Sequence, residues 1–347
     1  MARAGSNLME VAKRCSVSQS TVSRVLNNSK HGRFSVSDAV RSKILKVANE
    51  LNYRPSIAAR NLTVSKTNLV AVLGLAGLRS DHVGPIEEAV GALTSALDEA
   101  GYEICVQFMS QRHRPFELPG LRVDGVVAVG PTNPDDLSAL QNLSVPYVSL
   151  DGIAGPGGMQ VISDDAGGAR KALEHLVSLG HRRIAYLDNP TIGASHISVA
   201  TRRQAYFEAA NDLGFEIPLE NVPKLPVGVE WDQYYEPFLK RMVLDGKATA
   251  VLAYSHYGAL SLMRRAHDMG ILVPRDFSLV CFNNEPMLAL AIPSLTAVGL
   301  PSAAMGQVAA EMLLQEMGND GPVEARCRKL DEELIVREST AAPRRTV

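Results

Sequence analysis

The residues best placed to do chemistry lie near the start of the chain. Between positions 18 and 27, Ser18, Gln19, Ser20, Thr21, Ser23, Arg24 and Asn27 are interleaved with Val22, Val25 and Leu26. At 3.6 residues per turn the three aliphatic side chains form one stripe. Gln19, Ser20, Ser23, Arg24 and Asn27 are then left on the outward face. That face carries short hydrogen-bonding groups and one guanidinium, with no acid to repel a phosphate. Base edges in a DNA major groove are read by such groups, Arg pairing twice with guanine and Gln twice with adenine. The same pattern would also serve as the solvated side of a small helical bundle.

The surrounding residues decide how such a helix is held. Leu8, Val11, Ala12 and Cys15 recur at i, i+3, i+4 and i+7, the signature of a helix face, with Asn7 placed to cap it. A tight connection at Cys15-Ser16-Val17 leads to Ser18, which can cap the second helix. Val40, Ile44, Val47 and Leu51 mark a third, capped by Ser37. Three short helices on one small core, the first two joined by a tight turn, make a helix-turn-helix unit. Charge points the same way. Residues 1–66 carry 12 Lys/Arg against 3 Asp/Glu, a net of +9, and the remainder carries 23 against 34, a net of −11. A basic head on an acidic body suits a polyanionic partner.

At 347 residues the chain exceeds one ordinary domain and suits two or three, and 46% hydrophobic with 21% charged residues reads as globular. No apolar run is long enough for a membrane span, so no membrane partner is expected. The opening Met-Ala-Arg-Ala-Gly-Ser-Asn has no apolar signal region. Together with four widely separated cysteines, that leads to the expectation of a reduced, cytoplasmic setting. From residue 68, short apolar runs alternate with helical stretches. The expected strands are Leu69–Leu75, Ile104–Phe108, Val123–Val129, Tyr147–Leu150, Ile184–Leu187, Ala250–Ala253 and Leu279–Phe282. The expected helices include Ile86–Ala100, Gly168–Leu179, Thr201–Leu213, Gly258–Met269 and Ala303–Met317. Alternation of this kind predicts an α/β body of parallel sheets in two lobes, with ligand at the carboxyl ends of the strands.

Several runs carry a family resemblance. Glu10-Val11-Ala12, Val17 through Asn27, Asn52-Tyr53-Arg54-Pro55 and Ala58-Ala59-Arg60-Asn61-Leu62 resemble the head of the LacI/GalR family of transcription regulators. Val123-Asp124-Gly125, Gly180-His181-Arg182-Arg183-Ile184, Val273-Pro274-Arg275-Asp276 and Pro293-Ser294-Leu295-Thr296 resemble landmarks of its body. The resemblance spans roughly residues 7–338. Lys30-His31-Gly32-Arg33 reads as an insertion, and the segment between Gly101 and Val123, with Pro115 and Pro119, is shorter than usual in the family.

The resemblance implies a helix-turn-helix head over 1–54, a hinge over 55–66, a two-lobed periplasmic-binding-protein-like core over 67–340, and a tail over 341–347. It implies double-stranded DNA with a near-palindromic operator as partner, a small-molecule effector, and no cofactor or metal. The implied recognition helix is 18–26, with Gln19, Ser20 and Arg24 at its base-contacting positions and Asn7, Ser18, Thr21, Ser23, Asn27 and Tyr53 as further DNA contacts. Pro55–Leu62 is too short to stand alone as a helix. It is expected to fold in the minor groove beside its copy in a second subunit, where Ala59 and Arg60 lie against DNA and Leu62 wedges a base step. A tail without leucine heptads leads to the expectation of a homodimer.

In the body, Arg202 matches the family's ligand-binding arginine, Trp231 an aromatic platform, and Asp151 a pocket aspartate of some sugar-binding members. Ser80, Ser198, Ser255 and Asn283 complete the expected effector set. The family's Asn-Asp and Phe-Asp-Asp are Ser255-His256 and Phe282-Asn283-Asn284 here. With Asn in place of a carboxylate beside Arg202, the pocket is expected to be less negative, suiting a sugar or sugar-acid-like effector that bears a carboxylate or phosphate, or one of mixed donors and acceptors. A pocket that has drifted from tight binding is the alternative. No phosphate loop, nucleophile elbow or zinc-binding helix motif is present, so the chain is not expected to be an enzyme. Asp164-Asp165 reads as a helix-capping pair. The competing functional reading is a cytoplasmic solute-binding or carbohydrate-processing α/β protein with a basic head.

Overall fold

A computed structural model describes residues 8–26, 36–51, 53, 66–75, 85–108, 118, 122–131, 134–188, 196–218, 232–318 and 326–344. The chain divides into two compact units, residues 1–67 and 68–347.

The first unit holds α1 (Leu8–Cys15), α2 (Gln19–Leu26) and α3 (Asp38–Glu50). Helix α1 ends in a turn whose Ser16 adopts a left-handed conformation (φ 56°), with Ser16 N and Val17 N donating back to Lys13 O and Ala12 O. Two further residues suffice to start α2, where Ser18 Oγ accepts from Thr21 N at 3.2 Å. Ser37 Oγ caps α3 in the same way from Val40 N at 3.4 Å. Val11, Ala12, Cys15, Val22, Val25, Ile44 and Ala48 form the buried core, and Tyr53 packs half-buried against it.

The second unit contains two sheets. Lobe 1 has β1 (Leu69–Leu75), β2 (Glu103–Phe108), β3 (Gly125–Val129), β4 (Tyr147–Leu150), β5 (Met159–Ser163) and β10 (Cys327–Leu330). These run in the order β10-β5-β4-β3-β1-β2 and are all parallel. Lobe 2 has β6 (Ile184–Leu187), β7 (Ala250–Ala253), β8 (Ser278–Phe282), β9 (Thr296–Gly299) and β11 (Glu333–Ile335), in the order β11-β9-β8-β7-β6. Only β11 is antiparallel there.

Strands β1 and β7, each paired on both sides, are buried on both faces, which is why they read as continuous apolar runs rather than alternating ones. In β1, Val70 and Val72 face α4 (Pro85–Glu99) and α11 (Ser302–Met317), while Ala71 and Leu73 face α5 (Pro134–Gln141). In β7, Ala250 and Leu252 face α6 (Asp165–Ser178) and α7 (Ile197–Leu213). Val251 and Ala253 face α8 (Asp232–Phe238), the π-helical turn Leu239–Asp245 that continues it, and α9 (His256–Asp268). Between β8 and β9 lies the one-turn helix α10 (Met287–Leu290).

The chain passes between lobes three times: from β5 into α6, from β9 into α11, and from β10 into β11. Its last residues then stitch lobe 2 together. Leu279 N donates to Ser339 O, Ser339 Oγ donates to Leu279 O, and the buried His181 ring reaches Thr249 Oγ1, Ser278 Oγ and Ala341 O at 2.9–3.0 Å.

The strongest helix pair, α4 against α11, rests on Gly306. A Cβ added there would fall inside the van der Waals shell of the Ala89 carbonyl. Gly→Ala in an open helix interior stabilises by about 1 kcal/mol. Here the clash is with backbone, so Gly306→Ala is expected to destabilise by roughly 1–3 kcal/mol instead, read as a lowered midpoint in thermal or urea unfolding.

Candidate functional site

The first site is the outward side of α2. Val22 and Val25 turn inward, and Gln19, Ser20 and Arg24 are exposed, with Thr21 and Ser23 half-exposed beside them. Ser18 has a second task, since its hydroxyl caps the helix and lies 2.8 Å from both Ser20 Oγ and Thr21 Oγ1. The N-terminal turn of α2 therefore presents hydroxyls and backbone N–H groups, and Arg24 stands one turn further on. That combination suits phosphates at the helix start and base edges along the helix. Tyr53 is fixed to the head by its backbone, its N–H donating to Ala48 O at 2.8 Å. Asn7, Asn27, Ala59, Arg60 and Leu62 lie outside the described residues.

The second site gathers at the carboxyl ends of strands in both lobes. Asp151 follows β4 of lobe 1 in a left-handed conformation (φ 56°), and Asn283 follows β8 of lobe 2 in another (φ 70°). Ser198 opens α7, its Oγ 2.9 Å from the Tyr254 hydroxyl. Beneath them Arg202, only 3% exposed, extends from α7. Its Nε donates to Asp165 Oδ1 at 2.5 Å, and its Nη1 donates to Tyr254 O at 2.9 Å and reaches Asn283 Oδ1 at 3.5 Å. The guanidinium carbon sits 4.0 Å from the centre of the Phe282 ring and 5.1 Å from that of Tyr254. Burial opposes the charge, but the Asp165 and Glu332 carboxylates and Tyr254 together outweigh it, so the Arg202 pKa is raised and the group is cationic.

This arrangement corrects two expectations. Exchange of a carboxylate for Asn283 was expected to leave Arg202 with surplus charge; Asp165 supplies the missing carboxylate from the start of α6. Nor do Asp164 and Asp165 cap α6 with their side chains, although Asp164 holds its N-cap position and Asp165 its first turn, where a carboxylate suits the helix dipole. Asp164, at the N-cap position, makes no side-chain capping bond and instead pairs with Lys329 Nζ at 3.1 Å. Ser255 is brought to the same end of the sheet, but its Oγ accepts from Gly258 N at 3.3 Å as the cap of α9. Ser80 and Trp231 lie outside the described residues.

Two further residues belong here that the motif reading did not find. His196, just before α7, reaches across to lobe 1: its Nε2 donates to Asp151 O at 2.8 Å and stands 3.4 Å from Asp151 Oδ2, while Nδ1 lies 2.8 Å from Ser198 Oγ. Burial disfavours its charge, yet the Asp151 carboxylate and carbonyl prevail, so its pKa is raised. Glu332, between β10 and β11, is 1% exposed and places Oε1 3.9 Å from Arg202 Nη2. Each partner lies far away in sequence, so no local spacing signals either residue. His256 opens α9 beside Ser255. Burial lowers its pKa to about 4, which leaves it a neutral imidazole packed on Tyr257 at 4.1 Å between ring centres.

Residues 7–56 match the lacI family of bacterial regulatory proteins, and residues 173–340 match a periplasmic binding protein-like domain. The HTH-type transcriptional regulator DegA of Bacillus subtilis (strain 168) is 31% identical over 352 residues, covering 96% of this chain and 98% of that protein. MalR of Streptomyces coelicolor is 30% identical, with 96% of each chain covered. Among solved structures, the Lac repressor dimer bound to operator and the anti-inducer ONPF superposes with a TM-score of 0.77. It shares 25% identity and covers 97% of this chain and 99% of its own. The chain therefore belongs to the lacI family, and it is a DNA-binding regulator of transcription.

Proposed function

We propose that the chain is a homodimeric, cytoplasmic, non-enzymatic repressor whose operator affinity is set by a small polar effector held between its two lobes. The observation that carries this reading is the exposed Gln19-Ser20-Arg24 face of α2, fixed to its core by the Ser18 cap and the turn at Ser16. Each subunit would lay α2 in the major groove of one half-site of a near-palindrome. Residues 55–66 would fold as a hinge in the central minor groove, with Ala59, Arg60 and Leu62 against DNA. Effector binding would alter the angle between lobes and so the spacing of the two hinges, making effector and operator binding reciprocal equilibria. Release of DNA on effector binding is the default direction for the family.

Dimerisation is supported by an apolar surface on lobe 2. Met287, Leu290 and Ile292 are 42%, 83% and 94% exposed within one short segment around α10. Exposed apolar side chains grouped in this way mark an interaction surface. The Lac repressor structure with which this chain superposes is itself described as a dimer on operator.

For the effector, Asp151, His196, Ser198, Tyr254 and Asn283 form a ring of acceptors and donors above a charge-compensated Arg202, with Ser80, Trp231 and Ser255 as further candidates. Because Asp165 already neutralises Arg202, the ring suits hydroxyl groups of a polyol better than a lone carboxylate. The regulator CelR was solved with cellobiose at a TM-score of 0.67 and 26% identity, and a polyhydroxyl ligand here is consistent with that.

Selection of binding sites from a random duplex pool at near-physiological salt tests the reading directly. A near-palindrome with a central pyrimidine–purine step is expected; recovery of no motif with the purified protein would count against it. On the selected duplex, Arg24→Ala should lose about 1–3 kcal/mol at one base position of each half-site and relax specificity there. Leu62→Ala should weaken operator binding while sparing random DNA. Leu290→Asp with Ile292→Asp should give monomers in sedimentation and lower operator affinity at least about tenfold, because each half-site would then be bound alone.

A further inference from the structure

Glu332 has no part in the proposed function, yet its carboxylate is wholly buried beside Arg202. It lies in the third passage between lobes, and Asp165 lies in the first. Its side chain is fully buried, and among the described residues neither carboxylate oxygen has a hydrogen-bond partner of ordinary geometry. Room for it exists because Gly168 of α6 has no Cβ, which would otherwise occupy the place of Oε2. The nearest opposite charge is Arg202, at 3.9 Å from Oε1, while the same guanidinium is bonded to Asp165. One buried cation thus faces two carboxylates, each in a different passage.

The other groups around Glu332 do not resolve that imbalance. From α6, Asp164 is taken by Lys329 of β10, and Lys171 Nζ donates to the Glu332 backbone carbonyl at 2.6 Å rather than to its carboxylate. From β5, Ser163 favours the charged form only in part. From β9, Val298 is apolar. The neighbouring Asp331 and Glu333 line a separate cavity with Glu87, Glu88 and Glu285. The Glu332 carboxyl is raised to about 7, chiefly by burial, with Arg202 pulling it down and Asp165 and Asp164 adding to the rise.

We infer that Glu332 is a positioning residue for Arg202, leaving the guanidinium to Asp165 when protonated and drawing it toward the third passage on losing its proton to solvent. Arg202 then ties lobe 2 either to one passage between lobes or to two, and the grip beneath the cleft changes near neutral pH. The functional consequence rests on Arg202 as an effector-site residue. The rearrangement itself does not.

The sign follows from the raised pKa. Glu332 binds its proton more tightly folded than unfolded, so its stabilising contribution is complete below about 4.5 and is lost as pH rises through about 7. Thermal unfolding of the full chain, without DNA or effector, should show the wild-type midpoint falling relative to Glu332→Gln between about pH 5.5 and about pH 8. Asp165→Asn supplies the positioning readout. In the wild-type background its loss of midpoint should be smaller at the higher pH, where ionised Glu332 takes over the guanidinium; in the Glu332→Gln background the loss should be the same at both. Parallel wild-type and Glu332→Gln curves, or an Asp165→Asn loss that does not change with pH, would overturn the inference. If Asp165→Asn does not fold, the comparison of wild type with Glu332→Gln decides alone. Failure to select an operator would leave these measurements untouched, so the two readings fail separately.

Discussion

A guanidinium almost wholly removed from water must be matched by charge and hydrogen bonds where it lies, since an unpaired buried ion costs several kcal/mol. Arg202 imposes that requirement on lobe 2. Its Nε fixes Asp165, its Nη1 fixes the carbonyl after β7, and its plane rests on Phe282 at the end of β8. Two strand ends and the start of α6 are thereby brought to one point. The site above them is a consequence: Tyr254 is held by its own carbonyl on Arg202, and Asn283 by its neighbour Phe282 and its own side-chain oxygen. Breaking the pair from one side would leave an uncompensated charge, so substitutions here act on stability and on the cleft together.

Much of the fold was legible from residue pattern. The strands Tyr147–Leu150, Ile184–Leu187 and Ala250–Ala253 are read in full because both of their faces are buried and every residue is apolar or nearly so. The caps at Ser18 and Ser37 follow from residue type alone. Strand β10, by contrast, reads Cys-Arg-Lys-Leu and is mostly exposed at a sheet edge, so it carries no hydrophobic signal. Helix α6 begins three residues before its expected start because Asp165-Ala-Gly lacks an apolar stripe and is held by an ion pair instead. Pro237 obscures α8, although Tyr234, Tyr235 and Phe238 turn their rings to the core.

The functional sites divide along the same line. The face of α2 lies within a single helix, so its chemistry is visible in a run of ten residues. The cleft is assembled from residues that meet only after both lobes have formed. Resemblance points to Arg202, Asp151 and Ser198, but it does not reveal that Asp165 answers Arg202 or that His196 reaches Asp151 from the other lobe. Residue types at a site can be transferred by motif. Charge balance cannot, because it depends on every ionisable group that the fold brings near.

The last strands of the two sheets, β10 and β11, come from one short stretch near the end of the chain, and Ser339 and Ala341 then bond to β8 and its flank. Neither lobe is therefore built from a continuous segment. During synthesis on the ribosome, β1 to β5 and β6 to β9 emerge long before the strands that finish their sheets. Each half-made sheet exposes an unpaired edge until residues 327–341 arrive, the kind of edge that recruits strands from other chains. The head, three short helices close together in sequence, can fold first. The order of emergence thus gives this protein a nucleic-acid-facing unit before it has a complete body to regulate it.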